Sequence, residues 1–226
     1  MKIDCISDLH GSYPKLDGGD LLIVAGDLTG NDRFPQYYQF FKWIANTPYK
    51  KRIVIGGNHD GIAEKDGILT IPKGDFEYLQ DSGTEYEGIK IWGSPWTPTF
   101  YNWHFMKDRG ADIRKMWDLI PKDTEILITH GPAFGLCDQV SISSKANNGN
   151  HAGCEELRTV IENLPNLRLH VFGHIHEGYG TTILKKPGYG AENNVLCVNA
   201  CIMDCNYDPI NKPISIEYTK HGAKLL

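Results

Sequence analysis

Five of the apolar runs in this chain stop at the same kind of residue, an Asp, Asn or His with glycine nearby. KIDCIS (2–7) leads to Asp8 and His10, DLLIVA (20–25) to Asp27, and KRIVIG (51–56) to Asn58, His59 and Asp60. TEILIT (124–129) leads to His130, and LRLHVF (167–172) to His174 and His176. Runs this short and nearly apolar throughout read as strands covered on both faces. GIKIWG (88–93), NVLCVNA (194–200) and PISIEY (213–218) extend the set. Between them FPQYYQFFKWIAN (34–46) places Phe34, Tyr37, Phe41 and Ile44 at helical spacing behind Pro35. KDRGADIRKMWDLI (107–120), interrupted by Gly110, and GCEELRTVIENL (153–164), closed by Pro165, read as two more helices. Early strand–helix alternation followed mostly by strands predicts α/β layers around more than one sheet. Ligands of such sheets bind outside the carboxyl ends of the strands. The polar residues at these five ends should therefore converge.

Each residue alone has an ordinary alternative. Asp8 can cap a turn, GD and GN are common turn dipeptides, and a lone His130 is more often structural than a ligand. Jointly those alternatives fail, because five independent turns would each have to select a metal-binding side chain. In FGHIHEGYG (172–180) an extended chain would turn His174 and His176 to one side. Asp8, His10, Asp27, Asn58, His130, His174 and His176 are too many ligands for one ion and suit two. Carboxylate, amide and imidazole donors without thiolate favour Mn²⁺, Fe, Zn²⁺, Co²⁺ or Ni²⁺ over Ca²⁺ or Mg²⁺. Two such ions about 3.5–4 Å apart lower the pKa of a shared water from 15.7 toward roughly 7 and clamp a phosphoryl group. A small phosphate ester is the expected substrate.

The remaining composition narrows the setting. The chain has 226 residues and no internal repeat, which reads as a single domain over 1–226. MKIDCISDLH enters a strand directly, and no apolar stretch approaches about 18 residues, so a cytoplasmic protein outside the membrane is expected. Its six cysteines form no CxxC and are expected as reduced thiols. A formal charge of -5 argues against a large nucleic-acid surface.

The order DxH, GD, GNHD, H, GHxH from Asp8 to His176 resembles the calcineurin-like metallophosphoesterase superfamily. The resemblance implies two stacked mixed sheets flanked by helices, an α/β fold in four αββα layers. It implies one metal ion on Asp8, His10, His176 and Asp27, and a second on Asp27, Asn58, His130 and His174. It implies that His59 contacts phosphate and protonates the leaving oxygen, with Asp60 orienting it. IWGSPWTPTF (91–100), ITHGP (128–132), AGCEEL (152–157), HVFGHIHEGYG (170–180) and VNACIMDCNYDPINKPISIEY (198–218) are similar to the small metallophosphoesterase-domain-containing proteins, near the class III cyclic nucleotide phosphodiesterases. Some animal members of that group have glycine in place of the first GHxH histidine. This chain keeps His174, which implies a complete two-metal centre.

Serine/threonine protein phosphatases of the superfamily carry an arginine four residues after the bridging aspartate, gripping a dianionic monoester. Here that position is Asn31, which tilts the expectation toward monoanionic diesters. A phosphomonoesterase is the alternative, and a non-catalytic scaffold on the same fold is a remoter one. Substrate contacts are expected from Asn31 and from the aromatic stretch 92–110, with Trp96 and His104 as candidates. In that stretch Phe100, Tyr101 and Trp103 either stack a base or pack a loop. Asn147, Asn148 and His151 are candidates for the cleft wall.

Overall fold

The apolar runs pair into two six-stranded sheets. The structure, a computed structural model, describes residues 1–67, 69, 75–140, 151–186, 188, 190 and 193–226. The first sheet is built on β1 (Lys2–Ile6), β2 (Gly19–Ala25), β3 (Tyr49–Ile55) and β4 (Glu77–Tyr78), all parallel. The second has β6 (Ile89–Ser94), β9 (Ile126–Thr129), β10 (Leu169–Phe172) and β12 (Val195–Asn199) in parallel register, Ile126 and Leu196 both opposite Leu169. Antiparallel strands close the edges: β13 (Ile214–Thr219) and β14 (Gly222–Leu225) on the first sheet, β5 (Ser82–Tyr86) and β11 (Gly180–Leu184) on the second. A short ribbon, β7 (Thr97–Pro98) with β8 (Met106–Lys107), stands outside both.

Successive strand residues face opposite ways, which explains why the runs are apolar throughout. Ile3, Leu21, Ile23, Ile53 and Ile55 meet Ile91, Ile126, Ile128, Leu169 and Val171 between the sheets. Their neighbours Leu22, Val24 and Val54 face outward onto Tyr37, Phe40 and Ile44 of α1 (Phe34–Ala45). Leu127, Phe172 and Cys197 face outward onto Ile113 and Trp117 of α3 (Ala111–Trp117) and Leu157 and Ile161 of α4 (Glu155–Glu162). These are the four αββα layers expected.

Details differ from the sequence reading. The buried stripe of α1 is Tyr37, Phe40 and Ile44, while Phe34 at its first position is 60% exposed. Helix α3 begins only after Gly110, whose φ of +82° breaks the helical path. The edge strands β5, β11 and β14, of sequence SGTEY, GTTIL and GAKL, and the short α2 (Gly61–Asp66) have no long apolar run to mark them in the sequence. All six cysteines are free thiols. Among the described residues no helix is long and apolar enough to cross a membrane.

Candidate metal centre

The carboxyl ends of β1, β2 and β3 meet those of β9 and β10, and the expected ligands meet with them. His130 Nε2 lies 3.3 Å from Asp27 Oδ1, His10 Nε2 lies 3.6 Å from Asp27 Oδ2, and His176 Nε2 lies 3.6 Å from Asp8 Oδ1. Asn58 Oδ1 is 2.9 Å from His130 Nε2 and 2.8 Å from His174 Nδ1. Asp8, His10, Asp27 and His174 hold φ between +42° and +69°. The left-handed region costs a non-glycine residue roughly 1–2 kcal/mol, and such strain collects at functional sites. Glycines leave the space these side chains occupy. A Cβ on Gly57 would lie 2.4 Å from Asp27 Oδ1, and one on Gly173 would lie 2.0 Å from Asp8 Oδ2.

The expected extended geometry of GHIH is a correction. Strand β10 stops at Phe172, His174 turns at φ +69°, and His176 opens a one-turn 3₁₀ helix (His176–Gly178). The two rings therefore divide, His174 toward Asn58 and His176 toward Asp8.

The donor set fits metal on its own hydrogen bonding. The Nδ1–H of His130 donates to the Ala25 carbonyl (2.9 Å), and that of His176 to the Asp204 carbonyl (3.0 Å). Each Nε2 is then turned toward carboxylate oxygen, the arrangement by which second-shell carbonyls orient metal-binding imidazoles. Among the described residues neither buried ring nitrogen of His10 has a hydrogen-bond partner, Asp27 being 3.6 Å away, an expensive state unless a ligand satisfies them. The acids are ready to bind. Against the opposing effect of burial, the His176 hydrogen bond and the His130 charge hold Asp8 well below the usual carboxylate range. His130 and His10 do the same for Asp27. Burial pushes His174 down to about 4, the His130 charge adding to it, so its ring is neutral, as coordination requires.

His59 stands at the edge of this cluster, half-buried. Its Nδ1–H donates to the Gly30 carbonyl (3.0 Å), its backbone N–H to Asp27 Oδ1 (2.8 Å), and Trp103 packs 4.4 Å from its ring. The resemblance implies that Asp60 orients this ring, and the structure corrects that implication. Asp60 is fully buried and faces the backbone, accepting from the N–H groups of Leu28 (3.1 Å), Thr29 (3.1 Å) and Gly57 (2.9 Å). Burial and the Asp27 charge push its carboxyl up to about 7, against those hydrogen bonds. Asp60 therefore ties together the two turns that carry Asp27 and Asn58. Replacing Asp60 by Ala should cost about 3 kcal/mol or more, because each buried donor left unpaired costs about 1–3 kcal/mol. The shift of the urea midpoint at constant m-value measures this, and a loss under about 1 kcal/mol would contradict the tie.

The centre opens into a cleft of about 1030 Å³ lined by Asp27, Asn58, His59, His174 and His176 and by the aromatic residues Phe100, Tyr101, Trp103 and Tyr207. Three expected substrate residues lie elsewhere. Trp96 donates its Nε1–H to Asp81 (2.7 Å) and packs on Phe105, a wall of the fold. His104 sits 3.3 Å from Glu64 and 3.8 Å from Asp32, above Gly61. Asn31 is exposed, its N–H on Gln36. His151 does line the cleft, whereas Asn147 and Asn148 fall outside the described residues. Tyr207 escaped the sequence reading. Its ring lies 4.8 Å from His176 and 5.0 Å from His10, on a turn pinned by the Asp204 carboxylate. A tyrosine in CNYDP carries no signal of that placement. Cys201 also escaped: its Sγ groups with donor atoms of Asp8 and His176 within 4.8 Å of one another.

Residues 1–178 match the Calcineurin-like phosphoesterase family. The chain belongs to that family. Human and mouse proteins, each called Metallophosphoesterase domain-containing protein 1, are 36% identical to this phosphoesterase, covering 94% of it and 69% of their own length. A UPF0046 protein of Caenorhabditis elegans is 32% identical, covering 98% of this chain and 61% of its own. A solved structure 17% identical superposes with a TM-score of 0.67 over 100% of this chain and 98% of the other, a likeness of fold. With its family membership and this donor set, the protein is a metal-dependent phosphoesterase.

Proposed function

We propose that this phosphoesterase is a cytoplasmic phosphodiesterase for small diesters, cyclic nucleotides among them, working with two divalent transition-metal ions, Mn²⁺ first among Mn²⁺, Fe, Zn²⁺, Co²⁺ and Ni²⁺. Asp8, His10, Asp27 and His176 would hold one ion, and Asp27, Asn58, His130 and His174 the other. Bound there, the pair supplies an acidified water and neutralises phosphoryl oxygens. The protein contributes the rest. With Nδ1–H committed to Gly30, His59 has Nε2 as its remaining nitrogen, from which a proton would pass to the leaving oxygen, leaving the neutral ring. Trp103 against its ring limits the orientations it can take.

The observation that carries the diester preference is the charge of the cleft. Among the described residues lining it, Arg109 is the one permanent cation. Its guanidinium is already held by Glu155 and by the carbonyls of Gly153 (2.8 Å) and Ala152 (2.8 Å). Among the described residues a dianionic monoester finds no unpaired guanidinium to grip it, whereas a monoanionic diester needs none. The aromatic side chains along the same cleft are suited to an aryl or nucleoside substituent.

Under identical metal loading, kcat/KM should therefore be higher for bis(p-nitrophenyl) phosphate than for p-nitrophenyl phosphate. A clear preference for the monoester would replace this reading with a phosphomonoesterase.

A further inference from the structure

Away from the metal cluster, the cleft contains a second oriented imidazole. Asp138 is fully buried, and among the described residues it has no Lys or Arg partner. Its Oδ2 accepts the N–H groups of Gly135 and Gly153, both at 3.0 Å, and its Oδ1 lies 2.6 Å from His151 Nδ1. Burying a carboxylate costs several kcal/mol unless its oxygens are satisfied, and here one of them is reserved for the imidazole. A Cβ at Gly153 would lie 2.7 Å from Asp138 Oδ2, so glycine admits the carboxylate.

The His151 ring is held on more than one side. Phe134 lies 5.3 Å from it, the backbone pairs His151 with Gln139, and Arg109 clamps the next residue through the Ala152 carbonyl. With Nδ1–H donated to Asp138, Nε2 is the remaining polar atom of a side chain that is 28% exposed and lines the cleft. An imidazole fixed this firmly is preorganised to recognise a partner. No metal role uses it.

We propose that His151, held by Asp138, is a substrate-positioning residue that hydrogen-bonds through Nε2 to the nucleoside portion of the substrate. Phe100, Tyr101 and Trp103 of the same cleft supply stacking surface for the base. This subsite rests on the phosphodiesterase reading and adds the residue that selects a nucleoside over an aryl substituent.

Two chromogenic diesters with the same leaving group test it: the p-nitrophenyl ester of thymidine 5′-monophosphate and bis(p-nitrophenyl) phosphate. In His151→Ala the ratio of kcat/KM for the thymidine ester to that for the aryl diester should fall about tenfold, mostly through KM, the size of one lost hydrogen bond. Asp138→Asn should lower the same ratio, and the double variant should lose little more than the worse single one. Equal losses on both diesters, or no loss on either, would overturn the proposal.

A calorimetric readout separates this failure from failure of the phosphodiesterase reading. Binding of thymidine 5′-monophosphate should weaken about tenfold in His151→Ala, relative to any change in binding of inorganic phosphate. Wild-type affinity for the nucleotide in that variant would sink the nucleoside subsite. Hydrolysis of monoesters alone, with nucleotide binding still dependent on His151, would sink only the diester preference.

Discussion

Asp27→Asn should lower hydrolysis at least about 10³-fold and release metal from the purified protein. Asp27 lies between His10, 3.6 Å from one oxygen, and His130, 3.3 Å from the other. It is the carboxylate that both proposed sites share. Asparagine keeps the shape and one oxygen but removes the charge, so neither ion retains its shared anion. Stabilisation by such ions amounts to several kcal/mol in the transition state, and about 4 kcal/mol is a thousandfold in rate. Elemental analysis of wild type and variant, beside turnover numbers, makes the comparison. Chelation of the wild type should abolish activity, and Mn²⁺ should restore it. Unchanged turnover in a sample shown to be metal-free would refute a metal mechanism.

The next largest effect is expected at His59, and it should depend on the leaving group. General acid catalysis contributes about 10²–10⁴-fold. Nitrophenoxide departs readily as an anion, so His59→Gln should slow aryl diesters least. A nucleoside alkoxide needs the proton, so cyclic nucleotides should lose the most. One ring nitrogen of His59 groups with donor atoms of His10 and Asp27 within 4.8 Å of one another, but seven other donors fill the two proposed sites and its Nδ1 is held by the Gly30 carbonyl, so metal content should stay intact. Equal losses on both substrates would mean that His59 mainly binds phosphate. Loss of an ion would mean that it is a ligand.

The long central strands were legible because both their faces are buried, which forces apolar side chains at successive positions. Strands at the sheet edges bury one face or neither, and GAKL of β14 shows how little pattern that leaves. The helical repeat of 34–46 identified α1, yet the periodicity did not say which apolar residues would turn inward. Phe34 fits the spacing and still projects into solvent, because the helix begins there.

The identities of the candidate ligands could be read from the sequence by itself. Metal chemistry demands particular donor atoms, and five strand ends supplied them with glycines where a Cβ would intrude. What those neighbours do was decided by tertiary structure. His174 and His176, two apart in sequence, face different partners because the chain turns between them at a positive φ. Asp60, next to His59, bonds instead to turns 28–29 and 57. Tyr207 and the Asp138–His151 pair reach the cleft from loops whose sequence has no periodicity to read. A strand's pattern reports the local alternation of its own side chains. A loop side chain takes its place from long-range contacts, such as His176 on the Asp204 carbonyl, that exist only once the two sheets have packed.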